Sequence, residues 1–123
     1  MAEYLYRELS YKIIGLAMKV HRAFSSGLPE HVYRRSLCHE LRTEKVAYET
    51  EKKIQVWYDQ EMVGSFRADL IVDGLILLEL KAVEQLIDQH RSQTLAYLKI
   101  CNLRLGLLIN FGAKSLEVER FII

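Results

Sequence analysis

Proline and cysteine are scarce in this chain, and net charge is almost absent. Among 123 residues there are one proline, six glycines and two cysteines, and 17 basic against 16 acidic side chains leave a formal charge of +1. Near-neutrality means that no overall positive field marks a nucleic-acid binder, so such binding would have to come from a local patch or a dimer. Cys38 and Cys101 are too few for a disulfide framework or a zinc site, and each falls within an apolar helical pattern. The opening M-A-E-Y-L-Y-R-E has neither a charged leader nor an apolar core of a signal, and no run approaches the ~18 apolar residues of a membrane span. The expectation is a reduced, cytoplasmic protein with no membrane partner. So little proline and glycine implies short loops. With 50% hydrophobic and 27% charged residues, the chain reads as one domain over 1–123, able to bury about two-thirds of its unfolded surface. Nothing suggests disorder, repeats or a linker.

What is present centres on Phe66 to Val83, F-R-A-D-L-I-V-D-G-L-I-L-L-E-L-K-A-V. Two apolar runs flank Asp73-Gly74, a strong hairpin signal. Asp69, Glu79 and Lys81 sit inside those runs, where an unpaired charge is costly or is driven neutral. On a strand, Glu79 and Lys81 share a face while Ile76, Leu78 and Leu80 take the other. Asp69 joins the charged face only if the hairpin loop has an odd number of residues. A two-residue turn would oppose it to Leu78, whereas a three-residue loop with a left-handed residue at or beside Gly74 opposes it to Glu79. The odd loop is expected here. Two carboxylates held together repel unless a cation lies between them, and hard oxygen ligands suit Mg²⁺ or Mn²⁺. Lys81 beside such a metal could orient or help deprotonate an attacking water. The plainer alternative is a cross-strand ion pair of Lys81 with Asp69 or Glu79, worth less than about 1 kcal/mol.

Tyr4 to Phe24 repeats apolar residues at three and four and reads as an amphipathic helix. Gly15 within it is either a mild cost or a place of close packing. His21 and Arg22 lie in its last turn, where the helix dipole favours cations. Pro29 in the first turn, with Glu30 behind it, opens a second helix running to about Lys45. Its apolar face holds Val32, Tyr33, Leu37, Cys38 and Leu41; Arg34, Arg35, Arg42 and Lys45 lie mostly opposite, as a solvated face or a phosphate-contacting strip. Val46 to Tyr58 alternates as a strand, with Ile54, Val56 and Tyr58 on one side. Asp59-Gln60-Glu61 turns it back into Met62 to Val72. After Ala82 the pattern becomes helical again, from Val83 to near Asn102, placing His90, Gln93 and Tyr97 on one side, where they either satisfy each other and the backbone or line a site. Leu103 to Asn110 is an internal strand and Leu116 to Ile123 an edge strand. The order α-α-β-β-β-α-β-β, with a helical crossover before the fourth strand, predicts an α/β (α+β) protein with a mixed sheet flanked by helices.

These residues resemble the PD-(D/E)XK nuclease superfamily, whose restriction-endonuclease-like core has the order αβββαβ; here one extra helix precedes it. More narrowly, G-L-P-E-H-V-Y at Gly27 to Tyr33 is similar to the signature of the GxxExxY protein family. V-H-R at 20 to 22, H-E-L-R at 39 to 42, F-R-A-D-L at 66 to 70, L-E-L-K-A-V at 78 to 83 and G-L-L-I-N-F-G at 106 to 112 extend the likeness over nearly the whole chain. One departure is Ser26, where many relatives have a second glycine. The resemblance implies metal-dependent cleavage of nucleic acid. Asp69 and Glu79, with the Leu80 carbonyl, would hold Mg²⁺ or Mn²⁺, and Lys81 would position or activate water. Glu30 resembles the further acid that many members supply from an N-terminal helix, reaching the metal directly or through water. Gln93 and Tyr97 resemble the polar residues of the helix after the core hairpin that line the site, with Gln93 counted among the catalytic candidates; Tyr33 and His21 are further candidates for lining it. The resulting expectation is an Mg²⁺-dependent nuclease or a nuclease-like DNA-processing factor. The alternatives are a non-catalytic interaction protein retaining the fold, and metal-dependent chemistry on a small phosphate ester. A homodimer could span a duplex, with Phe121-Ile122-Ile123 contributing to the contact.

Overall fold

A computed structural model describes residues 5–123. The elements run α1 (Arg7–Phe24), α2 (Glu30–Thr43), β1 (Tyr48–Tyr58), β2 (Glu61–Val72), β3 (Ile76–Lys81), α3 (Asp88–Cys101), β4 (Leu105–Asn110) and β5 (Glu117–Ile122). The five strands form one sheet in sequence order. All neighbours are antiparallel except β3 and β4, which the α3 crossover brings side by side in parallel. This is the expected αβββαβ core with an extra N-terminal helix and a mixed sheet, and β5 is an edge strand.

Helical spacing decides what each face of the sheet meets. Ile13, Ala17 and Val20 of α1 and Tyr33, Leu37 and Leu41 of α2 are three or four residues apart, and they bury against Leu70, Val72, Ile76, Leu78, Leu80, Leu105, Leu107 and Ile109. The opposite face is thinner: Ala68, Ile71 and Leu77 pack with Leu98 of α3. Alternation along β3 turns Glu79 and Lys81 to the same side as Leu77. The charged residues thus emerge on the α3 face, where the apolar cover is smaller.

Several boundaries differ from the sequence expectation for local reasons. Tyr4, expected to begin the first helix, lies outside the described residues, and α1 is regular from Arg7. Nothing lies within 4 Å of where a Gly15 side chain would be, so that glycine is not a close-packing site. Pro29 is extended at ψ 150° and precedes α2, leaving Glu30 as its first residue. The helix stops at Thr43 because Lys45 is left-handed (φ 58°) and Val46 N–H turns back to Leu41 O. The first hairpin has a two-residue turn, Asp59-Gln60, both left-handed (φ 50° and 66°), so Glu61 already pairs with Tyr58. Ile54 and Val56 are half-buried as expected, but Tyr58 is 74% exposed at the end of a hairpin arm longer than its neighbour β3. Leu103 N–H bonds Leu98 O behind a left-handed Asn102, which delays β4 to Leu105.

The largest correction is the start of α3, at Asp88 and not just after Ala82. Asn110 is the cause. Its side chain is fully buried; Oδ1 accepts from Val83 N–H and Gly112 N–H (3.0 Å each), and Nδ2 donates to Val83 O (2.9 Å) and Glu117 Oε1 (2.8 Å). With both its backbone groups claimed by one side-chain amide, Val83 cannot enter a helix. Gly112 crosses this point so closely that a methyl group there would stand 2.3 Å from Val83 N.

Candidate active site

The site is built where the sheet forks. β2 and β3 pair through Leu70–Leu78, Ile71–Leu77 and Val72–Ile76, closed by the three-residue loop Asp73-Gly74-Leu75. Asp73 and Gly74 are both left-handed (φ 53° and 66°) and Leu75 N–H returns to Val72 O at 2.9 Å. The odd loop is therefore the one formed, and continuing its register brings Asp69 opposite Glu79. Past Leu70 and Leu78 no further rung is made, and two carboxylates bridge the opening. Asp69 N–H donates to Glu79 Oε2 at 3.1 Å, and Leu80 N–H donates to Asp69 Oδ2 at 2.8 Å. Each acid satisfies a backbone donor on the other strand.

β1 yields at the same level. Thr50 pairs with Leu70 and Lys52 with Ala68, while the intervening Glu51 is left-handed (φ 50°) and forms no rung with Asp69. A non-glycine residue held so inside a strand costs about 1 kcal/mol, and it leaves Asp69 released on both sides. Only Thr50 Oγ1 spans the gap, donating to Asp69 O at 3.2 Å.

Burial sets the electrostatics. Glu79 is 3% exposed, and its carboxyl is pushed up to about 8 by desolvation and then by the neighbouring Asp69 charge. Desolvation also raises Asp69, against the Leu80 N–H bond and the fields of Lys81 and Arg34, which favour its charged form. Glu30 is raised by its own desolvation and next by Asp69. Its tether is Arg34, 3.6 Å away, which also reaches Glu51 at 3.2 Å. Glu30 therefore feels Asp69 and Lys81 through space, and its ion pair is with Arg34. Among the described residues, no three His, Cys, Asp or Glu side chains form a ready-made ligand group.

Lys81 makes neither of the ion pairs weighed for it: its Nζ donates to Gln93 Oε1 at 3.2 Å, and Gln93 Nε2 donates to Tyr97 OH at 3.3 Å. Tyr97 in turn stacks on Phe66, with ring centroids 3.7 Å apart. Gln93 is exposed, not buried. Tyr97 stands close enough to Glu79 and Asp69 for their charges to raise its phenol, after desolvation. His90 leaves this row. Its Nδ1 accepts from Ile87 N–H and caps α3.

Two other candidates are structural in their contacts. Tyr33 is fully buried, stacked on Phe111, and its hydroxyl donates to Ser25 O (2.7 Å) while accepting from Leu28 N–H (3.2 Å). It fastens the loop that delivers Glu30, in which Gly27 takes φ 112°, open to glycine and rarely to other residues. His21 is buried with Nε2 3.0 Å from Ala113 O. Leu80 presents its side chain to the α1–α2 core. Because a strand residue points N–H and C=O to the same edge, its carbonyl opens into the fork beside Asp69; Lys81 O points the other way, to Phe111 N–H at 2.8 Å.

The model of the PD-(D/E)XK nuclease superfamily matches residues 7–121. The chain belongs to this superfamily. Comparison with curated proteins and with solved structures gave no match. No helix among the described residues is long and apolar enough to cross a membrane. Arg34, Glu51 and Thr50 escaped the sequence reading as neighbours of Asp69. The arginine four residues after Glu30 was the available signal for the first; nothing in an alternating strand announces the kink at Glu51.

Proposed function

We propose that this member of the PD-(D/E)XK superfamily is a metal-dependent nuclease of the GxxExxY type. The observation that carries the reading is the fork: two acids on one face, in a buried site, with Glu79 held near a pKa of about 8. The donor set is all oxygen, namely Asp69, Glu79 and the Leu80 carbonyl, with Glu30 within electrostatic reach, and such a set suits Mg²⁺ or Mn²⁺. Bound there, a divalent cation would supply Lewis-acid stabilisation to a phosphoryl oxygen and relieve the repulsion between the acids. The protein's own part is positioning. Gln93 and Tyr97 hold the Lys81 ammonium in one direction, so that it can orient the attacking water, take part in its deprotonation and stabilise charge developing on the phosphate. Burial of the fork strengthens each of these interactions.

The test is incubation with Mg²⁺ or Mn²⁺ of single-stranded, duplex and branched DNA, RNA and a small phosphate diester. Metal-dependent cleavage of a polymer, lost in Asp69→Asn, is the expected result. Cleavage of the small ester alone would replace the nuclease reading with a hydrolase one. No cleavage and no metal binding would leave a non-catalytic interaction protein on this fold.

A further inference from the structure

Beside the fork, between α2 and β1, lies a hollow of about 330 Å³ lined by Arg34, Arg35, Cys38, Arg42, Tyr48, Thr50 and Glu51. Its charge is lopsided. Arg34 is engaged by Glu30 and Glu51, and Glu51 is the only acid in the wall. Arg35 has no carboxylate partner among the described residues, and Arg42 donates to the neutral Tyr48 hydroxyl. Two guanidinium groups therefore line one cavity with no carboxylate paired to either, its single acid Glu51 being engaged by Arg34. A guanidinium presents paired N–H donors in a plane that matches phosphate oxygens, and it is less strongly hydrated than an ammonium.

The hollow shares a wall with the acids. Thr50 lines it and bonds Asp69 O, Arg34 lines it and reaches Glu30, and Glu51 lines it where its rung with Asp69 is missing. A polyanionic strand with one phosphate at the fork finds basic contacts in this adjoining hollow. We propose that this cavity binds a second backbone phosphate of the nucleic acid, held by Arg35 and Arg42 with the Tyr48 hydroxyl beside them. It rests on the nuclease reading and gives it a path, because the strand then extends from the fork toward α2.

The experiment measures binding and metal-dependent cleavage of labelled oligonucleotides by wild type, Arg35→Gln/Arg42→Gln and Arg35→Lys/Arg42→Lys, across a salt series. Binding is read in Asp69→Asn backgrounds, and thermal melting verifies that each variant is folded. Loss of one phosphate contact should weaken binding about tenfold and reduce the slope of log affinity against log salt by about 0.7 to 0.9. The lysine pair should restore most of the slope and less of the affinity. Substrates with and without a 5′-phosphate separate an internal phosphodiester, for which the loss is equal on both, from a strand terminus, for which it appears only with the phosphate. An unchanged KM and salt slope in the glutamine variant, with wild type still cleaving, overturns the pocket and leaves the nuclease standing. Failure of wild type both to bind and to cleave any nucleic acid overturns both.

Discussion

Glu79 carries the sharpest pH signature in the molecule. Its carboxyl titrates near 4.5 when unperturbed and near 8 in the fold, so between those values the folded chain holds a proton that the unfolded chain has released. Stability of the metal-free protein must then be greatest below the window and fall as pH rises through it. Each unit is worth about 1.4 kcal/mol, and Asp69 and Glu30 act in the same direction. Urea unfolding of wild type should show a midpoint that drops from pH 5 to pH 8, and Glu79→Gln should flatten that drop by a few kcal/mol. A midpoint that rises over this range in wild type would contradict the assigned burial. Lys81 is a different kind of residue, tied to Gln93 and not to either acid. Lys81→Ala should therefore keep metal binding while lowering turnover by about 10² or more. Equal single-turnover rates for variant and wild type would remove Lys81 from the chemistry.

Elements are positioned here by a few side chains that replace main-chain partners, and substitutions should divide accordingly. Gly15→Ala lies on an open helix surface and should stabilise by about 0.5–1 kcal/mol. Gly112→Ala would drive a methyl into the Val83 backbone and should destabilise by about 3 kcal/mol or more; thermal melts of the two variants should move in opposite directions. The same distinction explains what could be read from the sequence. Asp73-Gly74 located the hairpin but allowed an even or an odd loop, and the odd one was expected because it brings Asp69 opposite Glu79. Strand order and the mixed sheet followed from periodicity, which is a property of neighbouring residues. The start of α3 did not, because Val83 to Ile87 fit a helical period and are held out of helix by Asn110, 27 residues away from Val83. The first turn was placed at Asp59-Gln60-Glu61, and its two-residue length was hidden because neither Asp59 nor Gln60 is a glycine, although both adopt φ above zero. For the site, Glu79 and Lys81 could be placed on one face from alternation, and Asp69 joined them through the expected odd loop. The Arg34 tether was legible from its place four residues after Glu30, whereas Tyr33 holding the loop before Glu30 depends on its packing against Phe111, which no local pattern encodes.

At the scale of the whole molecule, the sheet is opened between β2 and β3 to hold acids while the rest is closed. The strands β3 and β4 are buried almost throughout, Phe121 and Ile122 of the last strand pack onto the two apolar clusters, and the charged residues face the thinner α3 side. Near-neutral overall charge is thus compatible with a concentrated field, since the arginines of α2 and the acids of the fork lie beside one another. A fold that buries two acids together is stabilised by whatever cation binds them, by an amount that grows with ligand concentration over Kd. Proton release follows as well, because Glu79 must ionise to bind below about pH 8. The decisive measurement is calorimetry of Mn²⁺ binding at pH 6.5, in buffers of different ionisation enthalpy, to wild type, Asp69→Asn and Glu79→Gln. Asp69→Asn retains an oxygen for the Leu80 N–H and should stay folded. The account predicts saturable binding by wild type with close to one proton released, and loss of that binding in both variants; wild type that binds no divalent ion, or variants that bind as wild type does, would contradict it.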